Sequence, residues 1–330
     1  MSDKMRWGIV GCGDITNKRV APALNDHPEC EVVAFCSSSM ERARDFAERH
    51  GARTAYDDLD AFLREDLDCV YVASRVFQHA EQTIRCLDAD KHVLCEKPLA
   101  MNAGECDAML AAEERSGRRL GCAYYRRYYP AWERAKEIAK SGALGDLVVV
   151  RIMLSSFWEI DPEDPKYWRV RRKYSGGGPL ADIGSHRLDL LVDLLDTPAQ
   201  VGAFMETRHH EDWDVEDCCI LAMRMRGGVQ AEAGIFGNVA ERRDEFEVYG
   251  TRGAVLLPGL GTEVKTFIEG NGRSESLPLH KNVHYPLIED FVRYVQTGRA
   301  MRSTGREGAK TTRVIDAAVR SAESSTIVLL

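Results

Sequence analysis

The chain has 330 residues, which at about 150 residues per domain predicts two domains. Its 44 basic and 52 acidic side chains give a formal charge of −8, and this balance argues against a general nucleic-acid binder. The composition, with 44% hydrophobic and 29% charged residues, is typical of a globular protein and argues against a disordered or coiled-coil chain.

The sequence also carries no sign of a membrane anchor, a secretion signal or a disulfide framework. No run approaches the roughly 18 apolar residues of a membrane span, and the opening residues lack the apolar core of a signal peptide. The 10 cysteines are scattered and form no C-x-x-C pair, which favours buried thiols over disulfides or a zinc site. We therefore expect a cytoplasmic protein without a bound metal.

The first predicted elements are a strand at 6–10, a glycine turn at 11–16 and a helix that continues to about residue 25. A dinucleotide pyrophosphate approaches the backbone closely at such a turn, and free N–H groups at the helix N-terminus stabilise its charge. Because Thr16 replaces the third glycine of the usual fingerprint, a plain turn is the alternative. The residues assigned to the cofactor here are Gly11, Gly13, Asp14 and Ile15.

Strand and helix patterns then alternate. Predicted strands cover 31–36, 69–73 and 92–95, and predicted helices cover 40–50, before Gly51, and 79–88. This alternation is typical of βαβ units in a parallel sheet, where ligands sit at the carboxyl ends of the strands. We predict an α/β, doubly wound Rossmann domain over residues 1–122.

The end of the second predicted strand bears on the choice of cofactor. An acidic residue there binds the ribose of NAD, but this strand runs into Ser37, Ser38 and Ser39, with Arg42 one turn later. Hydroxyls and a guanidinium suit a 2′-phosphate, so Ser37, Ser38 and Arg42 predict NADP, with NAD as the alternative. In the other interpretation the serines cap the next helix and Arg42 is solvated.

Two further motifs indicate chemistry. Lys97, in a Glu-Lys-Pro turn, follows the strand 92–95 at its ligand-facing end, although a surface lysine before a proline is the plain alternative. Three glycines at 176–178 precede a helical pattern over 179–195. The polar side of that helix is either a catalytic face or a solvated acidic stripe, and it comprises Asp182, His186, Asp189 and Asp193.

Together these motifs resemble the glucose-fructose oxidoreductase / inositol dehydrogenase family (Gfo/Idh/MocA), whose members carry Glu-Lys-Pro and a Gly-Gly-Gly…Asp-x-x-x-His pattern. The resemblance extends over nearly the whole chain. Within the family, the Ser37 and Arg42 pattern is similar to the NADP-dependent 1,5-anhydrofructose reductases. The resemblance implies hydride transfer between NADP(H) and a sugar, polyol or related carbonyl compound, with Lys97, His186 and Asp182 as catalytic residues.

Further contacts complete the predicted site. The additional cofactor contacts are Ser74, His79, Glu96 and Lys97. The predicted substrate contacts are Lys97, Tyr124, Arg126, Trp168, Asp182 and His186. Tyr124 and Arg126 are candidates because aromatic rings stack on sugars and guanidinium groups bind hydroxyls, and an interface role is equally open. Whether Arg75 and the basic run 169–173 contact a ligand is also open.

After residue 122 alternating strand patterns replace the βα alternation. They cover 146–158, 200–208, 218–226, 229–236, 245–249 and 263–269, with a hairpin signal at 227–228 and a last helix at 307–325. This predicts an α+β domain on a mostly antiparallel sheet over 123–330, for substrate binding and oligomerisation. The resemblance implies a homodimer or homotetramer through that sheet. Residues 209–214 contain two histidines, but a solvated loop fits them better than a metal site.

Two other functions stay open beside hydride transfer. One is a sugar hydrolase or epimerase with tightly bound NAD(P) and no net redox change. The other is an inactive cofactor-binding sensor, against which the presence of Lys97, Asp182 and His186 together argues. The sequence identifies neither the substrate nor the direction of the reaction.

Overall fold

The computed structural model describes residues 4–330; the first three residues, on which part of the signal-peptide argument depends, lie outside this range. The chain divides into two compact units. The first runs to Tyr125 and includes His280–Ala309, and the second comprises Arg126–Leu279 and Lys310–Leu330. Within the described residues, no helix has the length and apolar character needed to span a membrane.

The elements alternate first and then become strand-rich. The strands are β1 (Met5–Val10), β2 (Cys30–Cys36), β3 (Thr54–Tyr56), β4 (Cys69–Val72), β5 (His92–Cys95), β6 (Leu120–Cys122), β7 (Leu147–Phe157), β8 (Pro198–Glu206), β9 (Cys218–Met225), β10 (Gln230–Phe236), β11 (Asn238–Gly250), β12 (Gly253–Pro258), β13 (Glu263–Ile268), β14 (Asn271–Ser276) and β15 (Val328–Leu329). The α-helices are α1 (Ala21–Asp26), α2 (Met40–His50), α3 (Leu59–Leu63), α4 (Val76–Asp88), α5 (Ala103–Ser116), α6 (Pro130–Lys140), α7 (Arg172–Ser175), α8 (Ser185–Leu195), α9 (Tyr285–Thr297) and α10 (Gly305–Ser324). Short π-helical segments precede α1 (Thr16–Val20) and α8 (Leu180–Gly184), and 3₁₀ turns lie at Tyr125–Tyr128 and Tyr167–Val170.

The first unit contains a six-stranded parallel sheet in the order β3-β2-β1-β4-β5-β6. Its central strands are near-continuous apolar runs because helices cover both faces of such a sheet. The strand order reverses between β1 and β4, and ligands of doubly wound sheets bind at this switch point. The predicted Rossmann fold is confirmed.

The predicted single boundary at residue 122 differs from the observed division, because residues 280–309 return to the first unit. There Cys122 donates its backbone N–H to the Ser303 carbonyl at 2.8 Å. A Cβ on Gly121 would lie 2.9 Å from the ring of Phe291 and 2.7 Å from the sulfur of Met301. For the last predicted helix, 307–325, a return to the first domain was left open, but α9 and the segment around it were not predicted.

The second unit contains a nine-stranded sheet in the order β14-β13-β12-β11-β7-β10-β9-β8-β15. Every neighbouring pair is antiparallel except β7 and β10. The predicted mostly antiparallel sheet is confirmed, and so is the β9–β10 hairpin, in which Gly228 has a φ of 88°. Sequence patterns missed short or charged elements such as β3, α3, β14 and β15.

Candidate active site

The glycine turn after β1 is shaped by close packing on one side and is open on the other. Gly11 has a φ of 104°, and a Cβ there would lie 2.5 Å from the Ala73 backbone at the end of β4. Gly13 is exposed, and a Cβ there would meet no atom within 4 Å. Asp14 is exposed and pairs with Lys18 at 3.3 Å. The open backbone before the helical segment therefore fits a phosphate group.

Thr16, the departure from the glycine fingerprint, has a structural role in the same turn. The residue is fully buried, and its hydroxyl donates to the Gly11 carbonyl at 2.7 Å. This bond ties the start of the helical segment to the turn. The substitution is thus compatible with the turn that a dinucleotide requires.

The serines after β2 divide between two roles. Ser39 caps α2 by accepting the Arg42 N–H at 3.3 Å, and Ser37 accepts the Ser39 N–H at 3.4 Å. Ser38 and the Arg42 side chain are exposed beside them. The capping interpretation therefore holds for Ser39, whereas Ser38 and Arg42 are accessible to an anion.

The buried carboxylate of Glu96 holds the Glu-Lys-Pro turn after β5. Glu96 accepts the Tyr71 O–H at 2.8 Å through Oε1 and the Lys97 backbone N–H at 3.1 Å through Oε2. The Nε2 atom of His284 lies 3.6 Å from Oε1. Burial opposes ionisation, but His284, Lys97 and Tyr71 together hold the pKa of Glu96 below its usual value. Lys97 itself is half-buried, and its bond to Pro98 is cis.

His79 also contacts the Glu-Lys-Pro turn, at the Pro98 carbonyl. Its Nδ1 lies 3.0 Å from the Pro98 carbonyl oxygen and its Nε2 lies 3.2 Å from that of Ser74. Burial lowers the pKa of His79, and a neutral imidazole donates only one of these two bonds. The Ser74 hydroxyl donates to Gln82 at 2.6 Å. His79 and Glu96, which were predicted as cofactor contacts, both bind the Glu-Lys-Pro turn through these bonds.

In the second unit, a buried glutamate holds the glycine run that leads to α8. Glu216 accepts the backbone N–H groups of Gly178 and Leu180, each at 3.0 Å. A Cβ on Gly178 would lie 2.1 Å from the Glu216 carbonyl oxygen, so no larger residue fits. Burial raises the pKa of the Glu216 carboxyl, and these N–H groups oppose the rise. Glu216 was not predicted from the sequence, where its only signal is an acidic pair just before a strand with alternating burial.

The polar side of α8 and the segment before it divides into two parts. Asp182 accepts a bond from Arg169 at 2.8 Å, and His186 is buried. Asp189 forms a bidentate pair with Arg127, with both N–O distances at 2.8 Å. Burial raises the pKa of Asp189, and the Arg127 guanidinium opposes that rise. Neither interpretation of the predicted polar side therefore holds for its second half, because Asp189 and Asp193 form a largely buried ion-pair network.

Asp193 belongs to that network. It accepts the Trp132 indole N–H at 2.8 Å and pairs with Lys136 at 2.6 Å. The Thr311 hydroxyl donates to Asp189 at 3.1 Å. These contacts fix α8 against α6 and α10.

The predicted substrate contacts outside α8 differ in accessibility. Tyr124 is fully buried in the core of the first unit, which argues against direct contact with a sugar. In the second unit, Arg126 donates to the Leu260 carbonyl at 3.2 Å and lies 3.9 Å from Asp244. Trp168 is half-buried, with the Arg169 guanidinium 5.5 Å from its ring centroid.

The basic run 169–173 packs against the acidic loop that follows β8. Arg171 pairs with Asp214 at 3.3 Å, and Arg172 donates its backbone N–H to the same carboxylate at 2.6 Å. Arg75, the other residue left open, is exposed at the start of α4. The run therefore has protein partners that bind its charges.

The histidine loop is more ordered than a solvated loop. His210 is stacked on Trp213 with ring centroids 3.7 Å apart, and its Nε2 lies 2.8 Å from the Trp158 carbonyl oxygen. Asp217 accepts the backbone N–H groups of Arg208, His209 and His210 at 2.7 to 3.1 Å. Across residues 4–330, no cluster of three or more histidine, cysteine or acidic side chains could hold a metal ion.

Comparison with known proteins agrees with this architecture. Residues 5–124 match the family model "Oxidoreductase family, NAD-binding Rossmann fold", and residues 132–256 match the GFO/IDH/MocA C-terminal domain. An uncharacterized oxidoreductase of Rhizobium meliloti is 31% identical over 77% of this chain and 75% of its own. The 1,5-anhydro-D-fructose reductase of Ensifer adhaerens is 29% identical over 92% of each chain.

A solved structure matches over the whole length. The aldose-aldose oxidoreductase from Caulobacter crescentus, crystallised with glycerol, has a TM-score of 0.90 and 28% identity, covering 99% of this chain and 100% of that one. Both domains and their order thus agree with one group of enzymes. The chain belongs to the GFO/IDH/MocA family of oxidoreductases, with an NAD-binding Rossmann domain and the family's C-terminal domain.

Proposed function

We propose that the protein transfers a hydride between NADP(H) and the carbonyl or secondary alcohol of a sugar, polyol or related small carbonyl compound. The observation that carries the proposal is the position of Lys97 in the first unit. Its turn follows β5, the glycine turn follows β1, and both strands pair in parallel with β4, so both turns lie at the same edge of the sheet. The similarity to a 1,5-anhydro-D-fructose reductase supports a sugar substrate.

The nicotinamide supplies or accepts the hydride when it is bound. The amine of Lys97 donates a hydrogen bond to the reacting oxygen and stabilises its developing negative charge. His186 gives the proton to that oxygen in reduction and takes it in oxidation, a role for which the imidazole side chain is the commonest choice in enzymes. Asp182 orients the substrate, and Arg169 fixes the Asp182 carboxylate at 2.8 Å. Arg126 and Trp168 contact the rest of the substrate.

The cofactor contacts follow from the first unit. The turn of Gly11, Gly13, Asp14 and Ile15 holds the pyrophosphate. Ser37, Ser38 and Arg42 hold the 2′-phosphate, because no carboxylate stands at the tip of β2 to repel it. We expect Arg42→Ala to weaken NADPH binding about 10-fold and NADH binding hardly at all, measured by fluorescence titration. Equal loss for both cofactors would contradict the assignment of NADP.

The activity is tested by following NADPH absorbance with a panel of sugars, inososes and dicarbonyl compounds. We expect turnover with at least one compound and a loss of about 100-fold or more in His186→Asn and Lys97→Met. Lys91→Met is the matched control, since Lys91 precedes β5 and so lies at its opposite end. Absence of turnover with every compound, or full activity in either of the first two variants, would refute the proposal.

We also propose a homodimer or homotetramer assembled through the sheet of the second unit. Phe204 on β8 is 80% exposed and pairs across the strands with Ile220 on β9, which is also exposed. Exposed apolar neighbours of this kind are typical of a protein interface. Phe204→Glu is expected to lower the mass measured by light scattering, whereas Phe77→Glu in the first unit is not. The cytoplasmic location stays a prediction from the sequence.

A further inference from the structure

The segment that returns to the first unit contacts the helical segment after the glycine turn and also the Glu-Lys-Pro turn. The Asn282 side chain donates to the Arg19 carbonyl at 2.8 Å, in the helical segment that follows the glycine turn. Two residues later, His284 lies beside Glu96 of the Glu-Lys-Pro turn. One short piece of chain therefore contacts the supports of two loops that are far apart in the sequence.

His284 is held firmly, yet its ring is short of hydrogen bonds. It is 1% exposed, its backbone N–H donates to Asn282 Oδ1 at 3.0 Å, and its ring lies 4.6 Å from that of Tyr125. Within the described chain neither ring nitrogen is within hydrogen-bond distance of a partner. Glu96 Oε1 is just beyond that distance from Nε2, at 3.6 Å. A buried imidazole without a bond is unfavourable, so a small closure of this gap is favoured.

Glu96 needs this donor. The carboxylate is buried, and it accepts one hydrogen bond from the Tyr71 hydroxyl and one from the Lys97 backbone N–H. A buried anion is stable only when several donors satisfy its oxygens. An N–H from His284 would complete the set on the Oε1 side, where Tyr71 already donates.

We infer that His284 is a positioning residue for Lys97: its Nε2–H donates to Glu96 Oε1 and so fixes the carboxylate that binds the Lys97 backbone. The inference rests on the proposed function, in which the Lys97 amine contacts the reacting oxygen. The Asn282 side-chain oxygen accepts the backbone N–H of His284 and so holds His284 in place. Loss of the His284 donor lets the turn shift and moves the amine from its place, while the phosphate contacts of the cofactor stay intact.

The first test separates chemistry from binding. His284→Leu removes the donor, and His284→Gln retains an N–H near the position of Nε2. We expect kcat to fall about 10-fold in the leucine variant, equivalent to about 1.4 kcal/mol, with the Kd for NADPH nearly unchanged and with kcat mostly restored by glutamine. His27→Leu, at another buried histidine of the first unit, is the matched control and should keep its kcat.

The second test asks whether His284 acts through Glu96. We expect Glu96→Gln and the double variant Glu96→Gln/His284→Leu to have the same kcat, because both act on one carboxylate. Fully additive losses would overturn the inference. So would an unchanged kcat in His284→Leu, or an equal loss in His284→Gln. If the leucine variant does not fold, His284→Asn replaces it, because its shorter amide does not reach Glu96.

The third test needs no substrate and therefore separates this inference from the proposed function. Hydrogen exchange of the Lys97 amide, which donates to Glu96, is expected to be about 10-fold faster in His284→Leu than in the wild type and unchanged in His27→Leu. Unchanged exchange in His284→Leu would overturn the inference. Absence of turnover in the wild type with altered exchange would instead refute only the proposed function.

Discussion

The two segments that carry the candidate catalytic residues are held by the same device, a buried glutamate that accepts backbone N–H groups. In the first unit, Glu96 binds the N–H of Lys97. In the second unit, Glu216 binds those of Gly178 and Leu180, at the start of the segment that leads to His186. Each glutamate binds backbone N–H groups and so determines the path of the main chain that leads to the catalytic candidate.

The electrostatic balance of the two glutamates is opposite. The pKa of Glu96 is lowered although burial opposes this, because His284, the Lys97 charge and Tyr71 outweigh the burial. The pKa of Glu216 is raised, because burial outweighs its backbone donors. The same geometric role is therefore filled by a carboxyl whose pKa is lowered in one unit and by a carboxyl whose pKa is raised in the other.

The largest effect is expected in the segment that carries His186, where Arg127 pairs with Asp189 of α8. Arg127→Met leaves Asp189 buried and unpaired, and we expect a loss of about 3–5 kcal/mol in the free energy of unfolding, measured with urea. Arg134→Met on α6 breaks the partly exposed pairs with Glu137 and Glu275 and should lose less than about 1 kcal/mol. Equal losses would mean that the Arg127–Asp189 pair stabilises α8 no more than a partly exposed ion pair does.

The sequence was sufficient for the features that depend on local pattern. Strand β5, the turn at Lys97 and the helical spacing of Asp182 and His186 were all predicted, because each requires only a short window of chain. The supports were not predicted. His284 reaches Glu96 from the far end of the chain, and Arg127 meets Asp189 across packed helices, so only the folded chain brings these charges together.

The next largest loss of stability is expected from a steric clash at Gly178, in the glycine run that leads to α8. A Cβ in Gly178→Ala would lie 2.1 Å from the backbone oxygen of Glu216, which cannot move as a side chain can. We expect a loss of about 3 kcal/mol in the free energy of unfolding, together with a lower kcat. Gly227→Ala, in the β9–β10 turn where no atom lies within 4 Å of the new methyl group, is the control. A stable, active Gly178→Ala would contradict this account of the glycine run.

Neutralising the glutamate of the first unit should have a smaller effect that depends on pH. Glu96→Gln replaces an anion by an amide and should lower the free energy of unfolding by about 1.5–3 kcal/mol at pH 7. Because the folded-state pKa lies below the usual value of 4.5, this stabilisation is present above about pH 4.5 and is lost as the pH falls through the folded-state pKa. The difference between wild type and variant, measured by urea unfolding from pH 7 to pH 3, should therefore shrink in acid. A constant difference would show that the charge of Glu96 is not what matters.

The same substitution in the second unit should have the smallest effect and the opposite pH dependence. The folded-state pKa of Glu216 lies above the usual value of 4.5, so the stability that its neutral form contributes is fully present below about pH 4.5 and is lost as the pH rises through the folded-state pKa. Glu216→Gln stays neutral throughout and keeps one oxygen to accept the N–H groups of Gly178 and Leu180. Wild type should thus lose stability relative to this variant as the pH rises from about 4.5 through the folded-state pKa, measured by urea unfolding at a series of pH values. If both variants followed the same slope, the two carboxyl groups would be equivalent, and the contrast between a lowered and a raised pKa would be wrong.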